Sequence, residues 1–286
     1  MARSLTLTCC GSGAGAYLVD GGRAGYGDRG IPSGGPADAF SARAANHLLD
    51  QPAHHCCLEI TLHGGRWLLE GTGQMAITGA DMNWRLNGSP VDHHQVHYLD
   101  GAYLLTGGVA ARGCRSYLGI RGDWNATRIL GSVEAGLPGT ARVTRGFTVD
   151  VISAEEAPFR SDWPRWDALT GTAVLHAHPG PEWPWLNVRE RQWLLQSVFT
   201  VDADSNRQGI RLRTPAGESF PLPSMISSPV LPGTVQLTSN GPILLGPEAQ
   251  TVGGYPRVLL VNNLGDAYQL RPGQSLRFQQ ISRAPA

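Results

Sequence analysis

His54-His55-Cys56-Cys57 is the densest run of metal-capable side chains in the sequence. Imidazole and thiolate both suit zinc. Successive side chains on an extended strand point to opposite faces, so these four cannot all reach one ion. The following Leu58-Glu59-Ile60-Thr61-Leu62 alternates as a strand does, which favours buried cysteines beside surface histidines. His93, His94 and His97 beside Asp92 have loop spacing without a ligand signature. His176 and His178, two residues apart, would share one strand face and could meet a metal or an anion there. No metal site, and in particular no structural zinc, is expected.

Two glycine-rich segments offer a different chemistry. Gly21 to Asp38 reads GGRAGYGDRGIPSGGPAD. Its freed backbone N–H groups could cradle an anion at the start of a helix beginning near Asp38. Equally, the glycines could serve a tight loop that needs positive φ. The spacing fits neither a Walker phosphate loop nor a dinucleotide fingerprint. The second segment, Gln250-Thr251-Val252-Gly253-Gly254-Tyr255-Pro256, joins the apolar runs Ile243 to Leu245 and Val258 to Val261. It puts an amide, a hydroxyl, bare backbone and a phenol in one short loop. Such a loop either lines a polar pocket or is a structural turn.

Composition removes several mechanisms. The chain has 286 residues, near the roughly 250–300 at which one core stops growing, so two packed units are at least as plausible as one. Basic and acidic residues balance at 23 each, and no like-charge block marks a nucleic-acid partner. All 23 basic residues are Arg. A Schiff base, a Lys general base, a phosphate-loop Lys and a biotinylated Lys on this chain are therefore excluded. The opening MARSLTLTCCGSG lacks the apolar core of a signal peptide, and no run approaches the ~18 residues of a membrane span. Five cysteines, four of them in adjacent pairs, give no disulfide framework. A reducing cytoplasm is expected.

Short apolar runs separated by turn signals read as an all-β barrel or sandwich plan. They include Met75 to Thr78, Tyr103 to Leu105, Val258 to Val261 and Ser275 to Phe278. Asn87-Gly88 is a hairpin signal. Helices are expected over Asp38 to Leu49 and Val188 to Val198. In the first, Asp38 is a candidate N-cap, Phe40, Ala44 and Leu48 form the apolar stripe, and Ser41 and Arg43 fall off it. In the second, Trp193, Leu194 and Val198 have helical spacing. The Pro- and Trp-rich stretch from Glu155 to Pro184 reads as a packed connector. A change of unit is placed near Leu175, giving units 1–174 and 175–286. Each ends in an alternating strand, Gly146 to Ile152 and Pro272 to Ile281.

Several motifs resemble one family in order along nearly the whole chain. In the first half they are Asp20 to Gly25, Gly30-Ile31-Pro32 to Asp38, Asn46, Leu58 to Leu62 and Ile77 to Asp81, then Arg115 to Leu118 and Leu130-Gly131-Ser132. In the second half they are Ser205-Asn206-Arg207-Gln208-Gly209, Pro232 to Gln236, Gln250 to Pro256 and Gln269 to Gly273. The chain resembles the C subunits of 5-oxoprolinases, also described as KipA-like or allophanate-hydrolase-subunit-2-like, a module related to biotin-dependent carboxyltransferase domains.

The resemblance implies a mainly β fold of two cyclophilin-like β-barrel subdomains with few short helices. It implies a KipI-like B subunit as partner and an A subunit that opens the lactam. The small-molecule substrate would be 5-oxoproline, activated with ATP shared with the partner and accompanied by Mg²⁺. No biotin would be attached to this chain. The alternatives are a regulatory module that binds a kinase inhibitor, or a carboxyltransferase half acting on urea or an amide. On the matched motifs, Asp38, Arg207 and Gln250 are the candidate catalytic residues, with Arg207 the anion binder. Arg23, Gln236, Thr251, Gly253, Gly254 and Tyr255 are the candidate substrate-binding residues. Asp38 could instead only cap its helix, and Arg23 only tie down the glycine loop. Two departures bear on substrate. Val133-Glu134-Ala135 stands where the family continues Arg, Ser, Thr, and Ser227-Ser228 stands where it tends to carry Glu after Ser. They imply either a different substrate or a divergent paralogue of reduced activity.

Overall fold

Alternation decides the strands. In β1 (Ser4–Gly11), Leu5, Leu7 and Cys9 are buried while Thr6 and Thr8 lie on the other face. The computed structural model describes residues 4–152, 160, 163, 164, 171–214 and 225–281. Much of the expected connector between Glu155 and Thr170 lies outside them, Pro158 and Trp166 included.

The chain divides into two units, Met1–Arg23 with Gly34–Ala168, and Ala24–Ser33 with Leu169–Ala286. The first contains β1, β2 (Ala16–Val19), β3 (Cys57–Thr61), β4 (His63–Asp81), β5 (Arg85–Leu86), β6 (Ser89–Pro90), β7 (Val96–Val109), β8 (Arg112–Ile120), β9 (Asp123–Trp124) and β10 (Thr148–Ile152). They form one ten-stranded sheet of path β2-β3-β8-β4-β1-β10-β9, with β7, β5 and β6 branching from β4. The long β4 makes the branch. Its first part pairs with β1 (Leu69 opposite Leu7), its last part with β8 (Ile77 opposite Leu118), and β7 runs along its other edge. Between β5 and β6, Asn87 and Gly88 both have positive φ (49° and 86°), as a two-residue hairpin requires.

The helix α1 (Ala39–Leu48) starts where Asp38 was expected to cap it. The Asp38 carboxylate accepts from the N–H groups of Phe40 and Ser41. The stripe needs correction. Ser41 is buried, because its Oγ donates to Asp38 Oδ2 (2.5 Å) and its carbonyl accepts from Thr78 Oγ1 (2.6 Å). Phe40 is only half-buried and meets the Trp163 ring at a tilt of 49°, ring centres 5.7 Å apart.

The second unit is a closed seven-stranded barrel of order β11-β18-β15-β16-β13-β12-β19. Its strands are β11 (Ala173–Pro179), β12 (Phe199–Val201), β13 (Gly209–Arg213), β15 (Thr234–Thr238), β16 (Gly241–Leu245), β18 (Arg257–Val261) and β19 (Ser275–Gln280), with β14 (Ser228–Pro229) and β17 (Val252–Gly253) as a separate ribbon. Parallel pairing of β11 with β19 closes it, and Phe199 meets Phe278 inside at 5.7 Å. Helix α2 (Val188–Gln196) begins with a capping box between Asn187 and Glu190, buries Leu194 and ends before the exposed Val198. The short α3 (Leu264–Tyr268), capped by Asn263, carries no long apolar stripe, so periodicity gives no sign of it. Mainly β architecture with few short helices is what the structure shows.

Candidate functional site

Strand β15 carries the centre of the site. Gln236 is 1% exposed, placed where the register with β18 shifts between Val235 and Gln236. Its Nε2 donates to the Tyr255 carbonyl (3.1 Å), and its Oε1 accepts from Gln250 Nε2 (3.4 Å). The Gln250–Tyr255 loop can lie this close because position 253 is glycine. A Cβ there would stand 2.4 Å from Gln236 Nε2. Val230 N–H donates to the Thr251 carbonyl (3.0 Å), and β14 pairs with β17, which anchors the loop's outer side.

A cavity of about 270 Å³ opens beside these amides, lined among others by Asn206, Gln208, Arg211, Gln236, Gln250 and Tyr255. Asn206 is fixed by a tight turn in which its Oδ1 accepts from Gln208 N–H (2.8 Å) and its backbone exchanges bonds with Gly209. The lining offers amide donors and acceptors and, among the described residues, one cation. That cation is Arg211, exposed, its guanidinium without a hydrogen bond or ion pair to any described residue.

Arg207 occupies a different environment. It is 4% exposed, its Nε donates to Glu248 Oε1 at 2.6 Å, and its carbonyl accepts from Glu248 N–H. Of the expected residues, Gln236, Gln250 and Tyr255 come together at the cavity, and Gly253 packs on Gln236. Thr251 contributes backbone to the ribbon. Gly254 is exposed. Sequence reasoning missed Arg211, although it stands two residues after Gly209, on the same face of an extended strand.

In the first unit, Arg23 and Asp38 sit in a buried polar network. Arg23 donates from Nε to the Ile129 carbonyl (3.0 Å) and from Nη2 to the Glu134 carbonyl. Asp38 receives its helix N–H groups, and its own N–H donates to Tyr117 Oη (2.8 Å). Tyr117 Oη in turn donates to Glu59 Oε2 (2.9 Å), which also accepts from Ala37 N–H (2.9 Å). Burial, then the neighbouring Glu59, holds the Tyr117 hydroxyl well above its ordinary pKa, so it stays a donor. The departing Glu134 has a role of its own. Its Oε1 accepts from Gly35 N–H (2.7 Å), and its carboxylate fills the space a Cβ on Gly34 would take. The carboxylate of Asp38 thus occupies the helix N-terminus where an anion could have bound.

The histidines disperse. His55 Nε2 lies 2.8 Å from the Gly122 carbonyl, His97 Nε2 lies 2.8 Å from the Asp92 carbonyl, and His93 lies 4.0 Å from Asp81. Among the described residues, no three His, Cys, Asp or Glu converge as metal ligands would. Among them also, no helix is long and apolar enough to cross a membrane.

The sequence and the fold have counterparts. The family model for the carboxyltransferase domain, subdomains A and B, matches residues 29–280, and the chain belongs to that family. It is 31% identical over 281 residues to the C subunit of the Escherichia coli 5-oxoprolinase, covering 94% of this chain and 90% of that one. It is 27% identical over 293 residues to the urea amidolyase of Saccharomyces cerevisiae, covering 91% of this chain but 16% of that enzyme. The crystal structure of TTHA0988 superposes with a TM-score of 0.85 at 27% identity, over 96% of this chain and 55% of that one. The chain thus spans little more than half of that solved protein.

Proposed function

We propose that this chain is the C-type subunit of an ATP-dependent 5-oxoprolinase-like enzyme and that the barrel cavity binds the lactam. The observation that carries this reading is length. The bacterial 5-oxoprolinase subunit is matched over 90% of itself, whereas in the urea amidolyase the match is 16% of a longer chain. The cavity chemistry agrees. Gln236 and Gln250 can donate to a lactam carbonyl and accept from its N–H. Arg211, rather than the paired Arg207, is free to bind the carboxylate.

A lactam is a poor electrophile, and transfer of a phosphoryl group from ATP to its oxygen would create a leaving group for ring opening. The chain has no Lys and no Walker spacing, so the nucleotide and its Mg²⁺ would be held jointly with a B-type partner. An A-type subunit would complete the hydrolysis. Around the β14–β17 ribbon, Ile226, Leu231, Val252 and Tyr255 are exposed, which supplies apolar surface near the cavity for that partner.

Co-expression with a B-type subunit tests the reading through ATP hydrolysis on addition of 5-oxoproline. Stimulation by 5-oxoproline and not by urea supports it. Stimulation by urea alone would favour a carboxylase role. A complex formed without either activity would favour a regulatory module.

A further inference from the structure

Tyr268, the last residue of α3, is fully buried and does not line the barrel cavity. Its Oη lies 3.1 Å from the Asn206 carbonyl oxygen and 3.4 Å from that of Arg207, and its single proton is donated between them. The same turn receives two more donors, from the segment that leads to Gln250. Glu248 N–H donates to the Arg207 carbonyl (3.1 Å), and Gly246 N–H to the Gln208 carbonyl (2.9 Å). Three successive carbonyls, 206 to 208, are thus held by donors from other segments. Residue 246 sits where the three segments converge. A Cβ there would overlap both Tyr268 Oη and the Arg207 carbonyl oxygen, so glycine permits the approach.

The turn carries Asn206 and Gln208 and leads into Arg211, the other segment carries Gln250, and all four line the cavity. Asn206, Gln208 and Gln250 are themselves exposed, so their relative placement depends on how the two backbones are joined. Burial of the Tyr268 ring makes its hydroxyl a fixed point for that joint. Small displacements of binding groups are costly, even when the change lies away from the ligand.

We propose that Tyr268 is a positioning residue for the barrel site. Its hydroxyl sets the spacing between the Asn206–Gln208 wall and the Gln250 wall, across which the ligand is held. The proposal rests on the reading of this cavity as the 5-oxoproline site. It adds to that reading a buried group that touches no reactant and acts through the two walls.

Tyr268→Phe keeps the ring and removes only the hydroxyl. In the complex reconstituted with a B-type subunit, it should raise the KM for 5-oxoproline about tenfold and change kcat by less than about twofold, the pattern of weakened binding. Phe278→Leu, inside the same barrel, lowers stability with the bonds between the walls intact, and its KM should stay unchanged. Arg211→Ala should raise the KM and so checks the cavity reading itself. In the isolated chain, Tyr268→Phe should quicken hydrogen exchange at the Gly209, Gly246 and Glu248 amides more than in the barrel strands, whereas Phe278→Leu should quicken it across the barrel. A KM raised by Arg211→Ala but not by Tyr268→Phe overturns the positioning role and leaves the barrel reading standing. A KM moved by neither variant overturns both. Equal KM increases for Tyr268→Phe and Phe278→Leu, or exchange quickened uniformly by Tyr268→Phe, would assign Tyr268 to stability alone and overturn the proposal.

Discussion

Arg207 and Glu248 form a 2.6 Å ion pair in which the arginine side chain is 3% exposed and the glutamate 36%. A buried guanidinium tied in this way holds the Asn206–Gly209 turn, while the unpaired Arg211 stands at the cavity. This separates two roles that the motif alone would merge.

Arg207→Ala should therefore lower stability, by roughly 1–3 kcal/mol, since truncation breaks a pair desolvated on one side. An arginine serving only as an anion binder would instead leave the melting temperature nearly unchanged when truncated. Arg211→Ala, at an exposed position, should shift stability by no more than about 0.5 kcal/mol. It should raise the KM for 5-oxoproline in the reconstituted complex. Paired urea melts and steady-state kinetics check both.

Asp38 satisfies two helix N–H groups and the Ser41 hydroxyl. Asp38→Ala should cost about 1–2 kcal/mol, and Asp38→Asn, which keeps a capping oxygen, clearly less. Equal losses for the two would argue that the carboxylate does more than cap.

Arg257 holds Glu182 through one guanidinium edge, Nη2 donating to Oε1 at 2.7 Å and Nε to Oε2 at 2.8 Å, and its backbone N–H donates to Oε2 at 2.9 Å. The Arg257 side-chain hydrogen bond, against some opposing burial, lowers the Glu182 pKa. A depressed folded pKa gives stability that is complete above the unfolded value and fades as pH falls through the folded one. The stability difference between the chain and Glu182→Gln should thus be flat above about pH 5 and shrink below the ordinary glutamate pKa of about 4.3. Denaturant midpoints at a series of pH values measure it.

Cys56 and Cys57 are buried, and burial is the main cause of their raised pKa values. In the native chain, iodoacetamide should label Cys10, which is partly exposed, and leave both unmodified until denaturant is added. Mass spectrometry of digests reads the order.

The exposed apolar side chains about the β14–β17 ribbon give a prediction for assembly. Ile226→Asp and Leu231→Asp should weaken co-purification of a B-type subunit while improving the solubility of the isolated chain. Unchanged pull-down would place the partner surface elsewhere.

The local elements are legible in the chain alone, because their signals are local. Asp38 before an Ala-rich run, Asn87-Gly88 between short strands, and alternating Leu5, Leu7 and Cys9 each act through neighbours in the chain. The family is legible too, since its motifs keep their order from Asp20 to Gly273. Which polar groups are spent, and which are left over, emerges only on folding. Arg207 and Arg211 look alike in the sequence, and only the approach of Glu248, 41 residues away, distinguishes them. Glu134 reads as a departure from its family, yet the fold brings it 99 residues back onto Gly35. Tyr268 shows no chemistry in the sequence until the fold sets its hydroxyl on the carbonyls of Asn206 and Arg207, 62 and 61 residues back. Pairing across such separations depends on strand register and barrel closure, and no window of the sequence contains either.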